Sequence, residues 1–140
     1  MNKKGFTISE LLLVFVTVII IGIIMLPFIN YSRAKMERTV CADNLRQVGL
    51  ALYIYAREHG GSFPEKLDTL YEEQYLSDAR LMDCPASKQI GTIENPDYVY
   101  SPGLSVRDLS SKHLFEDKPE NHLGGINVLY VNANVEWEKT

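Results

Sequence analysis

The chain opens with a long apolar stretch, continues with a helix-periodic one, and ends in short alternating segments. Residues 11–29 carry nineteen consecutive uncharged side chains, close to the roughly 20 that a helix needs to cross a bilayer. Beyond them, apolar residues recur at spacings of four and three, as on one face of a helix: Cys41, Leu45, Val48, Leu52 and Tyr55. The pair Gly60-Gly61 ends this pattern. We predict one helix from Phe6 to about Glu58, bent or loosened at Pro27, which lacks a backbone N–H.

The remaining residues predict a small head built on the second half of that helix. Residues 64–74 have the pattern of a short helix, with proline in its first turn. Residues 97–101 alternate as a brief strand. Residues 126–131 and 134–137 flank a tight turn at Asn132-Ala133 and predict a C-terminal hairpin. We therefore expect an α+β fold, with an antiparallel sheet of about three strands packed on the amphipathic half of the helix.

The charge distribution excludes one class of function. Residues 39–140 contain nine Lys/Arg against sixteen Asp/Glu, and no basic cluster is present. Nucleic-acid binding domains carry a basic patch, so we expect no nucleic-acid partner. An acidic surface of this kind favours solubility outside the membrane.

Two cysteines, Cys41 and Cys84, stand far apart in the sequence. In a head exported from the cytoplasm the pair predicts one disulfide. It would close a loop of roughly 44 residues, worth about 3–4 kcal/mol of stability in the chain-entropy model. Two buried free thiols are the alternative, because spacing alone does not bring two sulfurs together.

The residues before the apolar stretch do not fit a secretory signal peptide. Such a peptide has an apolar run of about 7–15 residues followed by a small-residue cleavage site, and the run here is longer. Glu10 stands at the edge of the apolar run, where an ionised carboxylate is costly. A role or a partner is therefore expected for Glu10; a carboxylate that snorkels to the membrane interface is the alternative.

The sequence Gly5-Phe6-Thr7-Ile8-Ser9-Glu10 before a hydrophobic span resembles the leader of type IV pilins and type II secretion pseudopilins. In that family a short basic leader ends in Gly, the mature chain starts at Phe, and a Glu follows four residues later. The resemblance implies cleavage between Gly5 and Phe6 by prepilin peptidase and N-methylation of Phe6. It also implies that Glu10 attracts the Phe6 amino group of a neighbouring subunit and so sets the register of a filament. Pro27 matches the family's helix-loosening proline.

This resemblance implies four segments: a leader (1–5), a transmembrane and filament-core helix (6–30), the amphipathic half of the same helix (31–59) and a globular head (60–140). The precursor would cross the cytoplasmic membrane once, with its head outside. It would then join a helical homo-oligomer, a periplasmic or cell-surface filament. The membrane, the peptidase and an inner-membrane assembly platform are the implied partners, and no cofactor is expected.

The head resembles a second group of bacterial pilin-like proteins, whose chains end in a His-x9-Asp-Gly signature. Their Cys-x-x-Asn-Leu-Arg-Gln-x-Gly motif occurs here from Cys41 to Gly49, and Phe63-Pro64 and Cys84-Pro85 are also typical. Nine residues separate His122 from Asn132-Ala133, which stands where those proteins have Asp-Gly. Any role of the missing aspartate is therefore not carried over to this chain.

The three histidines form no motif of a metal centre or of a catalytic site. His59, His113 and His122 include no HxxH or HExxH pair, so we expect no metal site and no enzyme activity. His122 is the best candidate for a structural hydrogen bond near the hairpin. Residues 116–118 are predicted as a charged, solvated loop without the spacing of a calcium loop. Calcium bound by irregular oxygen ligands in the head stays open, as in some pseudopilins.

The sequence thus favours a structural protein, a prepilin-like subunit that polymerises into a type IV pilus or a type II secretion-like pseudopilus. The alternative is a signal-anchored extracytoplasmic binding domain that does not polymerise. The many tyrosines of the head fit core and interface packing, with a sugar-binding patch as the alternative. The sequence does not distinguish a major from a minor subunit.

Overall fold

The computed structural model describes residues 7–139 and divides the chain into two compact units at Lys35/Met36. The first unit contains the start of helix α1, which runs from Ile8 to Glu58. The second unit contains the rest of α1, helix α2 (Asp68–Glu72) and a short 3-10 helix (Ala79–Met82). Its four strands are β1 (Tyr98–Tyr100), β2 (His113–Asp117), β3 (Ile126–Tyr130) and β4 (Val135–Glu138).

Helix α1 confirms the long helix that the hydrophobic pattern predicts. All of its residues up to Met36 are exposed, and the helix continues through Pro27 without interruption. A proline inside a helix removes one backbone hydrogen bond, so the segment around Pro27 is held less firmly than its neighbours. A break at Pro27 in lipid or in a filament stays a prediction.

The four strands form one antiparallel sheet in the order β1-β2-β3-β4, each strand pairing with the next along the chain. This arrangement confirms the predicted α+β class. The brief strand and the C-terminal hairpin are present where the sequence predicts them, and the turn at Asn132-Ala133 places Ala133 at a φ of 68°. The short helix predicted over residues 64–74 is only five residues long. At its start, Leu67 occupies the N-cap position and supplies no side-chain hydrogen bond to the first turn. Past its end, Gln74 has a left-handed backbone conformation, which does not continue a right-handed helix.

The predicted solvated loop at residues 116–118 is wrong. Glu116 and Asp117 belong to β2, and Asp117 is fully buried. Leu114 and Phe115 in the same strand are also fully buried, and their burial in the core fixes the strand. The charged side chains of residues 116–118 led to the prediction of a solvent-exposed loop. Burial of the apolar pair Leu114 and Phe115 instead makes the segment part of a strand.

The head core lies between the buried face of α1 and the sheet. The predicted apolar stripe of α1 is confirmed: its first four residues are fully buried and Tyr55 is half-buried. They share one hydrophobic cluster with Phe115 of β2 and Leu129 of β3. Asn44, in the same part of α1, donates from Nδ2 to the Asp83 carbonyl at 3.0 Å. This hydrogen bond ties the helix to the residue before Cys84.

Candidate functional site

The N-terminus of α1 is closed by a reciprocal pair of hydrogen bonds between Thr7 and Glu10. The Thr7 backbone N–H and hydroxyl each donate to Glu10 Oε2 at 2.8 Å, and the Glu10 N–H donates to Thr7 Oγ1 at 3.4 Å. This is the capping-box arrangement, in which Thr and Glu three residues apart satisfy the first free N–H groups of a helix. Glu10 therefore has a local structural partner in addition to the intersubunit role that the leader resemblance implies.

Helix α1 is long and apolar enough to cross a membrane by length and composition, and its most apolar 18-residue window has a mean hydropathy of 3.1. No residue of that window is buried within the chain. A helix that is apolar on all sides needs an apolar environment, either lipid or other apolar helices. The predicted cleavage site Gly5/Phe6, the methylation at Phe6 and the leader 1–5 lie outside the described residues and stay predictions.

The part of α1 in the second unit has a second apolar side, which was not predicted from the sequence. At 3.6 residues per turn, four apolar residues fall on the side opposite the buried stripe. Their side chains are between 41% and 65% exposed: Met36, Val40, Leu50 and Ile54. Beside Leu50 and Ile54 lies an apolar groove of about 480 Å³, lined also by Tyr53 and Val106. The four exposed residues Met36, Val40, Leu50 and Ile54 follow one another at spacings of four, ten and four. Because ten residues are close to three helical turns, this spacing indicates in the sequence that they share one side of the helix.

Cys41 and Cys84 form the predicted disulfide, with their Cα atoms 5.6 Å apart. Cys41 lies on the buried face of α1, and Cys84 follows the 3-10 helix that ends at Met82. The segment after Cys84 is fixed by Asp97, whose carboxylate accepts from the Cys84 N–H at 3.1 Å and from the Ser87 hydroxyl at 3.0 Å. The bridge therefore joins the long helix to a loop that is itself held to the start of β1.

His122 and Asp117 lie next to this disulfide in the head interior. His122 Nε2 is 3.5 Å from Cys84 Sγ and 3.4 Å from Asp117 Oδ2. Asn127 donates to the same Asp117 oxygen from its backbone N–H at 2.9 Å and from Nδ2 at 2.8 Å. The sequence predicts His122 as a structural residue of this region, whereas it places Asp117 in a solvated loop. The apolar pair Leu114-Phe115 just before it was the signal that a buried strand runs there.

Burial shifts both members of this pair toward their neutral forms. Removal from water raises the pKa of Asp117, although its hydrogen bonds from Asn127 oppose the change. Removal from water also lowers the pKa of His122, against the attraction of the Asp117 carboxylate. The other two histidines make contacts elsewhere in the head. His59 Nδ1 is 2.9 Å from the Tyr55 carbonyl oxygen near the end of α1. His113 faces the carboxylates of Glu116 and Glu138.

Among residues 7–139, one group of side chains could hold a metal ion: Cys41, Cys84, Asp117 and His122. It contains two sulfur atoms, whereas calcium prefers six to eight oxygen ligands. The group therefore does not support calcium in the head, and the expectation of a head without any cofactor stays untested.

Comparison with known proteins gives two relatives. The chain is 28% identical over 90 residues to the ComG operon protein 3 homolog of Bacillus licheniformis and, again over 90 residues, to the competence protein ComGC of Bacillus subtilis. Each match covers 64% of this chain, and the matches cover 90% and 89% of the two relatives. No family model matches the chain, and no solved structure matches it. The two relatives confirm the resemblance to pilin-like proteins.

Proposed function

Because the chain is pilin-like and has relatives among competence proteins, we propose that it is a structural subunit of a pseudopilus that serves competence. In this proposal prepilin peptidase removes residues 1–5, Phe6 is N-methylated, and the mature chain waits in the cytoplasmic membrane with its head outside. An assembly platform then moves it into a filament of identical subunits. The protein has no catalytic role in this proposal, and nucleic acid is not its direct partner, since its head is acidic.

One observation carries the proposal: α1 is apolar on all sides over its first half and has no buried residue there. In the membrane, lipid covers this surface. In a filament, the same surface of other copies replaces lipid, and the exchange costs little because both environments are apolar. A monomeric anchored domain would need the span, but it would have no use for a further exposed apolar stripe on the head half of α1.

Glu10 gives the proposed assembly its register. A carboxylate near the apolar core of a filament attracts the free amino group of Phe6 on the next subunit, and the attraction is strong because little water screens it. The capping box leaves one oxygen of Glu10 as the acceptor for both Thr7 donors, so the second oxygen is available to an intersubunit partner.

The experiment compares Glu10→Gln with Thr7→Ala. Gln keeps the geometry of a capping box but removes the negative charge, whereas Thr7→Ala removes the cap and keeps the charge. We expect Glu10→Gln to insert into the membrane and to be processed normally, yet to yield no filaments in sheared surface fractions. Thr7→Ala should retain filaments, because a cap is worth only about 0.5–2 kcal/mol in a helix that lipid already stabilises.

Two results would contradict the proposal. If Glu10→Gln gives the same filament yield as wild type, the negative charge of Glu10 is not needed for assembly. N-terminal sequencing that finds Met1 retained, or a start near Lys35, would favour the signal-anchored domain that does not polymerise.

A further inference from the structure

The cluster around the disulfide has the ligand set of a metal site. One ligand atom from each of Cys41, Cys84, Asp117 and His122 lies within 4.8 Å of all the others. The residues come from α1, the segment after the 3-10 helix, β2 and the β2–β3 connection, so the fold brings together four separate parts of the head. In this structure the two sulfurs of the cluster are bonded to each other.

The contact between His122 and Cys84 has the spacing of two ligands in tetrahedral coordination. Zinc binds sulfur at about 2.3 Å and nitrogen or oxygen at about 2.0–2.2 Å, so tetrahedral ligand atoms lie roughly 3.3–3.8 Å from one another. His122 Nε2 is 3.5 Å from Cys84 Sγ and 3.4 Å from Asp117 Oδ2. The nitrogen–sulfur distance falls in that range, and the second distance places the Asp117 carboxylate beside the same imidazole nitrogen. In a chain whose disulfide has not yet formed, the two sulfurs are not held at bonding distance and can take the same spacing.

Asp117 provides an independent indication of a missing partner. Its side chain is fully buried, and Oδ1 has no hydrogen-bond partner among the described residues. Buried carboxylate oxygens are normally paired, and one that is not calls for an explanation such as an ion. Asn127 holds the other oxygen with two hydrogen bonds, as a supporting residue around a metal ligand commonly does.

We propose that the head binds one Zn²⁺ through Cys41, Cys84, Asp117 and His122 before the disulfide has formed, while both cysteines are thiols. Two thiolates, an imidazole and a carboxylate in tetrahedral arrangement select zinc among the common divalent ions. Before the disulfide forms, both cysteines are thiols, so this state of the chain requires no reductant. Zinc binding then displaces the two thiol protons, and the metal offsets two of the three negative charges that the two thiolates and the Asp117 carboxylate bring to the interior.

Disulfide and zinc site are mutually exclusive states of one cluster. Each sulfur is either bonded to the other sulfur or available to the metal, so the oxidised head does not bind the ion. In the reduced head, zinc replaces the disulfide as the link between α1 and the loop at Cys84. The head is thereby stabilised before its cysteines are oxidised, whether or not the chain polymerises.

The experiment uses the full chain in detergent, with and without reduction by a water-soluble phosphine, and Co²⁺ as a spectroscopic substitute for Zn²⁺. We expect the reduced chain to bind one Co²⁺, with a thiolate-to-cobalt charge-transfer band and the intense visible bands of tetrahedral cobalt. Zn²⁺ should displace the cobalt and abolish both. The oxidised chain should show neither.

Two ligand variants and two controls locate the ion. His122→Ala and Asp117→Asn should weaken Co²⁺ binding at least about tenfold, since even residues that only support a ligand typically cost that much. His59→Ala and His113→Ala should leave the spectrum unchanged. A measurement without mutation uses urea unfolding of the reduced wild-type chain, where Zn²⁺ should raise the midpoint relative to a chelator.

Some results would overturn the proposal. One is a reduced wild-type chain that takes up no more Co²⁺ than the oxidised chain. Another is a charge-transfer band that persists at full affinity in both ligand variants, which would show that the two cysteines bind the metal without Asp117 and His122. A urea midpoint that Zn²⁺ does not change would also overturn it.

Discussion

Gly49 of α1 lies directly against Leu129 of β3, so closely that a β-carbon at residue 49 would stand 2.9 Å from Leu129 Cδ2. A β-carbon at that distance would force Leu129 to move. The absence of a side chain at Gly49 therefore sets how closely the helix approaches the sheet. This relationship gives a physical reason for the glycine in the Cys41–Gly49 motif.

We expect Gly49→Leu to destabilise the head by about 1–3 kcal/mol, because the larger side chain overpacks the contact with Leu129. Urea unfolding followed by the fluorescence of Trp137, the single tryptophan of the chain, measures the change. The matched control is Gln47→Leu, which places the same side chain at an exposed position of the same helix. Equal stability of the two variants would contradict the packing role of Gly49.

The exposed stripe on α1 should serve assembly and not the stability of the head. We expect the double variant Leu50→Gln and Ile54→Gln to lose filaments while its unfolding midpoint stays near wild type, because exposed substitutions usually change stability by less than about 0.5 kcal/mol. Filament yield in sheared fractions and urea unfolding are the two measurements.

Leu52→Ala is the contrasting variant for that stripe, since Leu52 is fully buried on the opposite side of α1. It should cost the head about 2–5 kcal/mol. If the Leu50/Ile54 variant assembles normally, the stripe has no part in contacts between subunits.

The turn of the C-terminal hairpin should improve when Ala133 is replaced by glycine. Ala133 has a φ of 68°, a left-handed conformation that costs a residue with a side chain roughly 1–2 kcal/mol. Ala133→Gly removes that cost but adds flexibility to the unfolded chain, so we expect a net gain of about 0.5–1 kcal/mol.

Gly103→Ala tests the same cost of a left-handed backbone conformation in the opposite direction, because it adds a side chain where Ala133→Gly removes one. Gly103 has a φ of 75°, and apart from its two chain neighbours no residue within 7–139 has an atom within 4 Å of the position that its β-carbon would occupy. The substitution therefore adds backbone strain without a clash, and we expect a loss of about 1 kcal/mol. A destabilised Ala133→Gly variant together with a neutral Gly103→Ala variant would show that backbone conformation is not what limits these turns.

The disulfide should contribute a large share of the stability of the head. Its removal in the double variant Cys41→Ser and Cys84→Ser should cost about 2–5 kcal/mol, because the unfolded chain regains the freedom that the cross-link denies it. Unfolding of the variant under oxidising conditions, without reductant, gives the value. Zn²⁺ should not restore this loss, since serine does not replace the thiolate ligands. A variant as stable as the oxidised wild type would contradict the expectation.

Several features followed from the sequence because they depend on residues close together in the chain. Helix α1 was predictable from its apolar stretch and from the spacing between Cys41 and Tyr55. The hairpin was predictable from two alternating segments around Asn132-Ala133. The α+β class followed from one long helix before several short strands.

Features of the site that involve distant residues were not predictable in the same way. Asp117 looked like part of a solvated loop, since its neighbours are charged, and its burial depends on Leu114 and Phe115 filling a core formed by other elements. The spacing of Leu50 and Ile54 already indicates a second apolar side of α1, but only the fold shows that this side is the exposed one, because the head covers the opposite side.

Periodicity and residue type are enough to predict a long helix with an apolar first half, an acidic head, and the local preferences of its turns, because they act within a few positions along the chain. Packing of the folded chain brings the two cysteines together, places Asp117 and His122 beside them, and sets Gly49 against Leu129. Such contacts depend on how separate elements pack in space, and spacing along the chain does not contain that information.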